Sequence, residues 1–179
     1  MDETAQKQIK ALSFLLQFPD EKTLESLRAA AAGIEQVFAE PGRIHIRKFL
    51  QYLTETPHLA LQEAFCAAFD LNPDTCMNLT YHQYQDGAKR GPALARFARA
   101  FEQAGFDPVC TDLPDYLPMV LELMSQSTNG DFQWVIAEHR QTVKMLTERL
   151  KSMQSPYAAI FQVLTELLEA VSNQYKKGA

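Results

Sequence analysis

Three observations predict an all-α chain. Apolar residues recur at three- and four-residue spacing in almost every periodic segment, little of the chain alternates with period two, and capping and breaking residues punctuate it at helix-length intervals. The expected architecture is one domain over residues 1–179, a bundle of about eight to ten helices. At 179 residues the chain is long enough to bury roughly 70% of its unfolded surface without a disulfide or metal staple. Hydrophobic residues make up 46% and charged residues 22%, with 7 Gly and 9 Pro, which excludes collagen-like, low-complexity and disordered classes.

Ile9, Leu12, Leu15 and Leu16 form the first stripe, which ends at Phe18-Pro19. Asp20 is placed to cap a second helix carrying Leu24, Leu27, Ile34, Val37 and Phe38, and Pro41-Gly42 stops it. Ile46, Phe49, Leu50 and Leu53 mark a third. Thr56-Pro57, a cap followed by Pro at the first helical position, opens a fourth through Leu61, Phe65 and Phe69. Short connections make these antiparallel neighbours. From Asp70 to Gly91 the turn signals Asn72-Pro73-Asp74 and Asp86-Gly87 predict a short helix between loops.

Periodicity returns at Ala93, Leu94, Phe97, Ala98 and Phe101 and stops at Gly105. In L-P-D-Y-L-P-M-V-L-E-L-M, Asp115 is expected to cap a helix with Pro118 in its first turn, where no amide donor is missed. Asn129-Gly130-Asp131 breaks and recaps the chain. Phe132, Val135, Ile136, His139, Val143, Leu146, Leu150 and Met153 then share a stripe. Ser155-Pro156 repeats the cap-plus-Pro start before Tyr157, Ile160, Phe161, Leu164, Leu167, Leu168, Val171 and Tyr175. Lys176-Lys177-Gly178 suits the negative pole of that last helix.

A net charge of −5 would repel a polyanion, so nucleic acid is not the expected partner. No apolar run approaches the ~18 residues of a membrane span, and the start lacks the basic-then-apolar layout of a secretory signal. A cytoplasmic protein without direct membrane insertion is expected. Cys66, Cys76 and Cys110 are odd in number, far apart and without C-x-x-C, which encodes neither a disulfide framework nor a zinc site; Cys66 and Cys76 read as buried thiols.

The local motifs of phosphate, nucleophilic and metal chemistry are missing: there is no G-x-x-x-x-G-K, G-x-G-x-x-G, G-x-S-x-G or H-E-x-x-H. His45, His58, His82 and His139 fall singly on different predicted elements. Neither convergent zinc ligands nor paired E-x-x-H motifs occur. The charge is uneven, however. Between Glu102 and Glu138 lie seven acidic residues, Glu102, Asp107, Asp112, Asp115, Glu122, Asp131 and Glu138, and no Lys or Arg. Two readings stand: a solvated acidic face, or the rim of a groove that attracts a cationic peptide.

Phe69-Asp70, His82, Arg90-Gly91 eight residues after it, and the block Leu113-Pro114-Asp115-Tyr116-Leu117-Pro118 with Leu121-Glu122 behind it carry a resemblance. Together with L-T-Y-H-Q-Y and K-R-G-P-A-L, they resemble the NarJ-type family of nitrate reductase assembly chaperones, relatives of the wider group of redox-enzyme maturation chaperones. Weaker similarity reaches Phe18-Pro19-Asp20 and Tyr157-Ala158-Ala159-Ile160-Phe161. The chain departs from the family at Gln85-Asp86-Gly87, where Gly-Glu-Ser is common, and it lacks the longer acidic tail of many members.

The resemblance implies an all-helical chaperone with no catalytic turnover and no permanently bound cofactor. Its partner would be the apo catalytic subunit of a molybdoenzyme, a nitrate reductase or a related reductase or dehydrogenase. The chaperone would bind the N-terminal, twin-arginine-like segment of that subunit in the cytoplasm until its molybdenum cofactor, a bis-molybdopterin guanine dinucleotide, is inserted. Transient contact with that cofactor is a further implication, and oligomeric state is left open.

A peptide that binds as an amphipathic helix needs an apolar groove with charges at its rim. Tyr116, Leu117, Val120, Leu121 and Met124 are the expected groove wall, although a stripe at this spacing equally serves as core. Asp112 and Glu122 are the expected partners of a client arginine, with Asp115 a helix cap first. His82, Tyr84, Asp86 and Arg90 complete the candidate set. For His82 the alternative is a hydrogen-bonded structural residue. For Arg90 it is an ion pair with Asp86, against contact with cofactor phosphates. The competing reading is a helical metal protein or enzyme built on His82, Tyr84 and Asp86.

Overall fold

The computed structural model describes residues 1–106, 112–126 and 132–178, with the backbone alone for 175–178. Nine α-helices lie among them: α1 (Glu3–Leu15), α2 (Glu21–Gln36), α3 (Gly42–Glu55), α4 (His58–Phe65), α5 (Tyr81–Tyr84), α6 (Arg90–Gln103), α7 (Leu117–Gln126), α8 (Gln133–Ser152) and α9 (Ala158–Gly178). A π-helical turn, Cys66–Asp70, continues α4. The all-α expectation holds. Among the described residues the only β-type pairing is a single antiparallel bridge between Asn78 and Tyr116. Cys110, Asp107 and the expected turn at Asn129-Gly130-Asp131 lie outside the described residues, as do the side chains of Tyr175, Lys176 and Lys177.

Capping chemistry sets several starts. The Asp20 carboxylate accepts the Thr23 amide proton at 2.7 Å, and that bond holds its pKa below the usual carboxylate value. Helix α4 begins one residue later than expected, at His58. Pro57 is not the first helical residue but the cap, with a non-helical backbone (φ −57°, ψ 143°). Ser155 does act as a start signal: its Oγ accepts from the Tyr157 amide at 3.3 Å and its carbonyl from Ala158 at 3.0 Å.

Helix α1 packs along α7, and α8 along α9. The buried side chains of these two pairs join those of α2, α3, α4 and α6 in one apolar cluster. Tyr157 stands at its centre, ring to ring with Phe49 (5.1 Å), Phe65 (5.8 Å) and Phe69 (4.9 Å). Such tilted and edge-on pairs contribute about 0.5–1.5 kcal/mol each beyond area burial. Burial raises the Tyr157 phenol pKa well above its ordinary value. The α8 stripe is buried as expected except at its end, where Met153, the C-cap of the helix, is 44% exposed with its sulfur 3.4 Å from Asn72 Nδ2.

Candidate functional site

The two halves of the resemblance meet at one joint. The Leu117 amide donates to the Met77 carbonyl at 2.9 Å and the Leu79 amide to the Asp115 carbonyl at 3.2 Å. Asp115, wholly buried, accepts from Asn78 Nδ2 (3.0 Å), the Thr80 amide (2.8 Å) and Thr80 Oγ1 (2.6 Å). It therefore does not cap its own helix, as the sequence suggested. Its carboxylate braces the 78–80 segment, because three donors there are otherwise unsatisfied and a buried carboxylate requires them. Pro118 falls in the first turn of α7 as expected, and its carbonyl accepts from Ser13 Oγ at 2.7 Å, tying α7 to α1.

His82, Tyr84, Asp86 and Arg90 sit on and beside α5, away from the groove described next. His82 Nε2 donates to the Cys76 carbonyl at 2.8 Å, and burial lowers its pKa, favouring the neutral ring. Arg90 pairs with Asp86 at 2.9 Å and stacks over the Tyr81 ring at 5.4 Å. Gly87 is required by space, since a Cβ there would lie 2.9 Å from the Tyr84 carbonyl. Among the described residues no group of three or more His, Cys, Asp or Glu is arranged to hold a metal. His82 and Asp86, two members of the competing metal reading, are each engaged by a different neighbour. Cys66 and Cys76 are half-buried rather than buried. The thiol of Cys66, bonded to Asp70, and that of Cys76, desolvated, both have raised pKa values.

The open concavity lies on the other side of α7. A groove of about 890 Å³ runs between the end of α1, the start of α2, the end of α6 and the first turns of α7. Phe18, Phe101, Phe106, Tyr116, Met119 and Leu123 supply its apolar lining; Asp20, Asp112 and Glu122 stand at its rim with Lys22. Its size is that of a ligand cleft, and its rim carries three carboxylates against one ammonium. Asp112, Tyr116 and Glu122 are thus brought together as expected.

The rest of the expected wall is corrected. Leu117, Val120, Leu121 and Met124 are at most 2% exposed and face Val135, Ile136 and Val143 of α8 across a space of only about 10 Å³. Helix α7 is apolar on two faces, so periodicity identified the stripe packed into the core, while Met119 and Glu122 face the groove and Leu123, itself only 2% exposed, borders it. Phe18, Thr23, Phe101 and Phe106 were missed as lining residues because they come from three separate segments. The sequence signal for Phe18 is its place just beyond the α1 stripe and before Pro19; in the structure it is 40% exposed.

The helical fold has a counterpart among solved structures, one described as a candidate redox-enzyme maturation protein. It matches, with a TM-score of 0.66 over 92% of this chain and 93% of the other at 23% identity, the crystal structure of an Archaeoglobus fulgidus protein described as a candidate of that class. The nitrate reductase delta subunit family model matches residues 20–162, and the chain belongs to that family. It is 33% identical over 174 residues, 94% of this chain and 92% of the other, to the probable nitrate reductase molybdenum cofactor assembly chaperone NarJ of Bacillus subtilis. It is 28% identical to the NarJ of Escherichia coli K12 over 87% of this chain and 67% of that one. These relatives are named as assembly chaperones, and the family is one of chaperones rather than catalysts. No helix among the described residues is long and apolar enough to cross a membrane.

Proposed function

We propose that this chain is a cytoplasmic chaperone of nitrate reductase assembly that holds the N-terminal segment of the catalytic subunit while the molybdenum cofactor is inserted. The observation that carries this reading is the groove between α1, α2, α6 and α7, apolar within and edged by Asp20, Asp112 and Glu122. A segment that becomes an amphipathic helix buries its Leu, Ile or Phe side chains in such a groove, and its basic residues meet the rim. In this reading the cofactor belongs to the client. His82 and Arg90 support the site from behind by fixing the loop that holds Asp115 in place.

Calorimetry with a synthetic peptide carrying the N-terminus of a nitrate reductase catalytic subunit tests the reading. Saturable binding with a negative heat-capacity change is expected, as apolar burial requires. If no such peptide from any accompanying molybdoenzyme subunit binds, the reading is overturned.

A further inference from the structure

The groove does not stop at α7. A second, more apolar cleft of about 610 Å³ opens between α1 and α2 and adjoins the first at Gln17 and Glu122, which line both. Phe14, Ala30, Ile34 and Val37 are among the residues that line it, and Lys7 and Lys10 stand at its far end. Its width follows from small residues on α2: a Cβ built on Gly33 would meet nothing within 4 Å. The Gln8 side chain donates to the Val37 carbonyl at 2.9 Å, joining the end of α2 to the first half of α1. From Gln17 back to Lys7 the cleft follows α1 for about 15 Å, at 1.5 Å per residue.

The charges along this path are polar in sequence. Asp20 and Asp112, with Lys22, edge one end and Glu122 stands where the two clefts adjoin; Lys10 and Lys7, the latter paired with Glu3 at 2.7 Å, edge the other. An α-helix carries the complementary pattern, positive at its N-terminus and negative at its C-terminus. We infer that the α1–α2 cleft is a second subsite of the same groove. It takes the C-terminal half of an amphipathic client helix whose cationic first turn lies at the carboxylates, so the client lies antiparallel to α1. This rests on the proposed function and adds the client's direction, the length engaged and the apolar side chains that the far half must carry.

The test uses a client N-terminal peptide of about 20 residues, some 30 Å as a helix, and the same peptide with the apolar residues of its C-terminal half changed to serine. Wild-type protein should prefer the parent peptide by about tenfold or more. Gly33→Trp replaces a poor helix former and projects a ring into open cleft, so the variant should melt no lower than wild type. It should bind both peptides equally, at the weaker affinity. A photo-crosslinker at Ala30 should capture the C-terminal half of the parent peptide, and one at Met119 the N-terminal half. Retention of the tenfold preference by Gly33→Trp, or crosslinks in the opposite order, overturns the second subsite and leaves the proposed function standing. Failure of wild-type protein to bind either peptide overturns both.

Discussion

The joint between residues 77–80 and 115–117 and the groove on the other side of α7 are built to opposite specifications. The joint is closed, with a buried carboxylate matched to three donors and a β-type bridge. The groove is open, and its rim charges Asp112 and Glu122 are exposed. The motif block that carries the family resemblance serves both: Asp115 and Leu117 brace the joint, whereas Tyr116, Pro118 and Glu122 line the groove. The remaining lining, Phe18, Phe101, Phe106 and Met119, comes from less distinctive positions.

The comparison is broken most directly at Asp115. Asp115→Ala leaves three donors of the 78–80 segment without their acceptor and should lower stability by about 3–5 kcal/mol, read by denaturant unfolding. A change below about 1 kcal/mol would show that the joint is not a structural lock. His139 is the next test. It is buried against Phe97 and Trp134, accepts from Gln83 Nε2 at 3.2 Å, and burial lowers its pKa from 6.5 to about 4. Since the unfolded state binds the proton more readily, the stabilisation is complete above pH 6.5 and is lost as pH falls from 6.5 towards 4. That loss amounts to about 3 kcal/mol. In His139→Gln, unfolding free energies across this window should fall less steeply than in wild type.

The groove side calls for smaller effects on stability and a larger one on binding. Asp112→Asn with Glu122→Gln should weaken the client peptide about five- to tenfold at low salt and flatten its salt dependence, while unfolding changes by less than about 0.5 kcal/mol. Unchanged low-salt affinity would reduce the acidic rim to a solvated face. The smallest effect is expected at Arg90→Lys, which loses the planar guanidinium on Tyr81 and loosens an i,i+4 pair with the exposed Asp86. A stability loss of about 1 kcal/mol or less, with peptide affinity unchanged, is the expected result. A marked loss of affinity would move the α5 loop into the contact surface.

The helices were legible because burial imposes a period. Ile9, Leu12, Leu15 and Leu16 of the first stripe are all buried, and Asp20 caps α2 through the local bond that its position implied. The site was less legible, for two physical reasons. Helix α7 is apolar over most of its circumference, so spacing cannot tell the face against α8 from the face towards the groove. The groove is also a gap between helix ends, and Phe18, Phe101 and Phe106 become neighbours only through tertiary packing. Asp115 was misread because a carboxylate before a helix usually serves that helix, whereas here residues 78–80, far away in sequence, offer more donors.

One small bond has a wider effect. With Ser13 fastened to the Pro118 carbonyl and the Leu117 amide to Met77, the first turn of α7 that borders the groove is held by the fold itself. If the groove takes a client segment as proposed, the conformational entropy lost on docking falls mainly on that segment. Under the same proposal, release needs no unfolding of α7: it follows once the segment gains more by joining its own enzyme's structure than by staying.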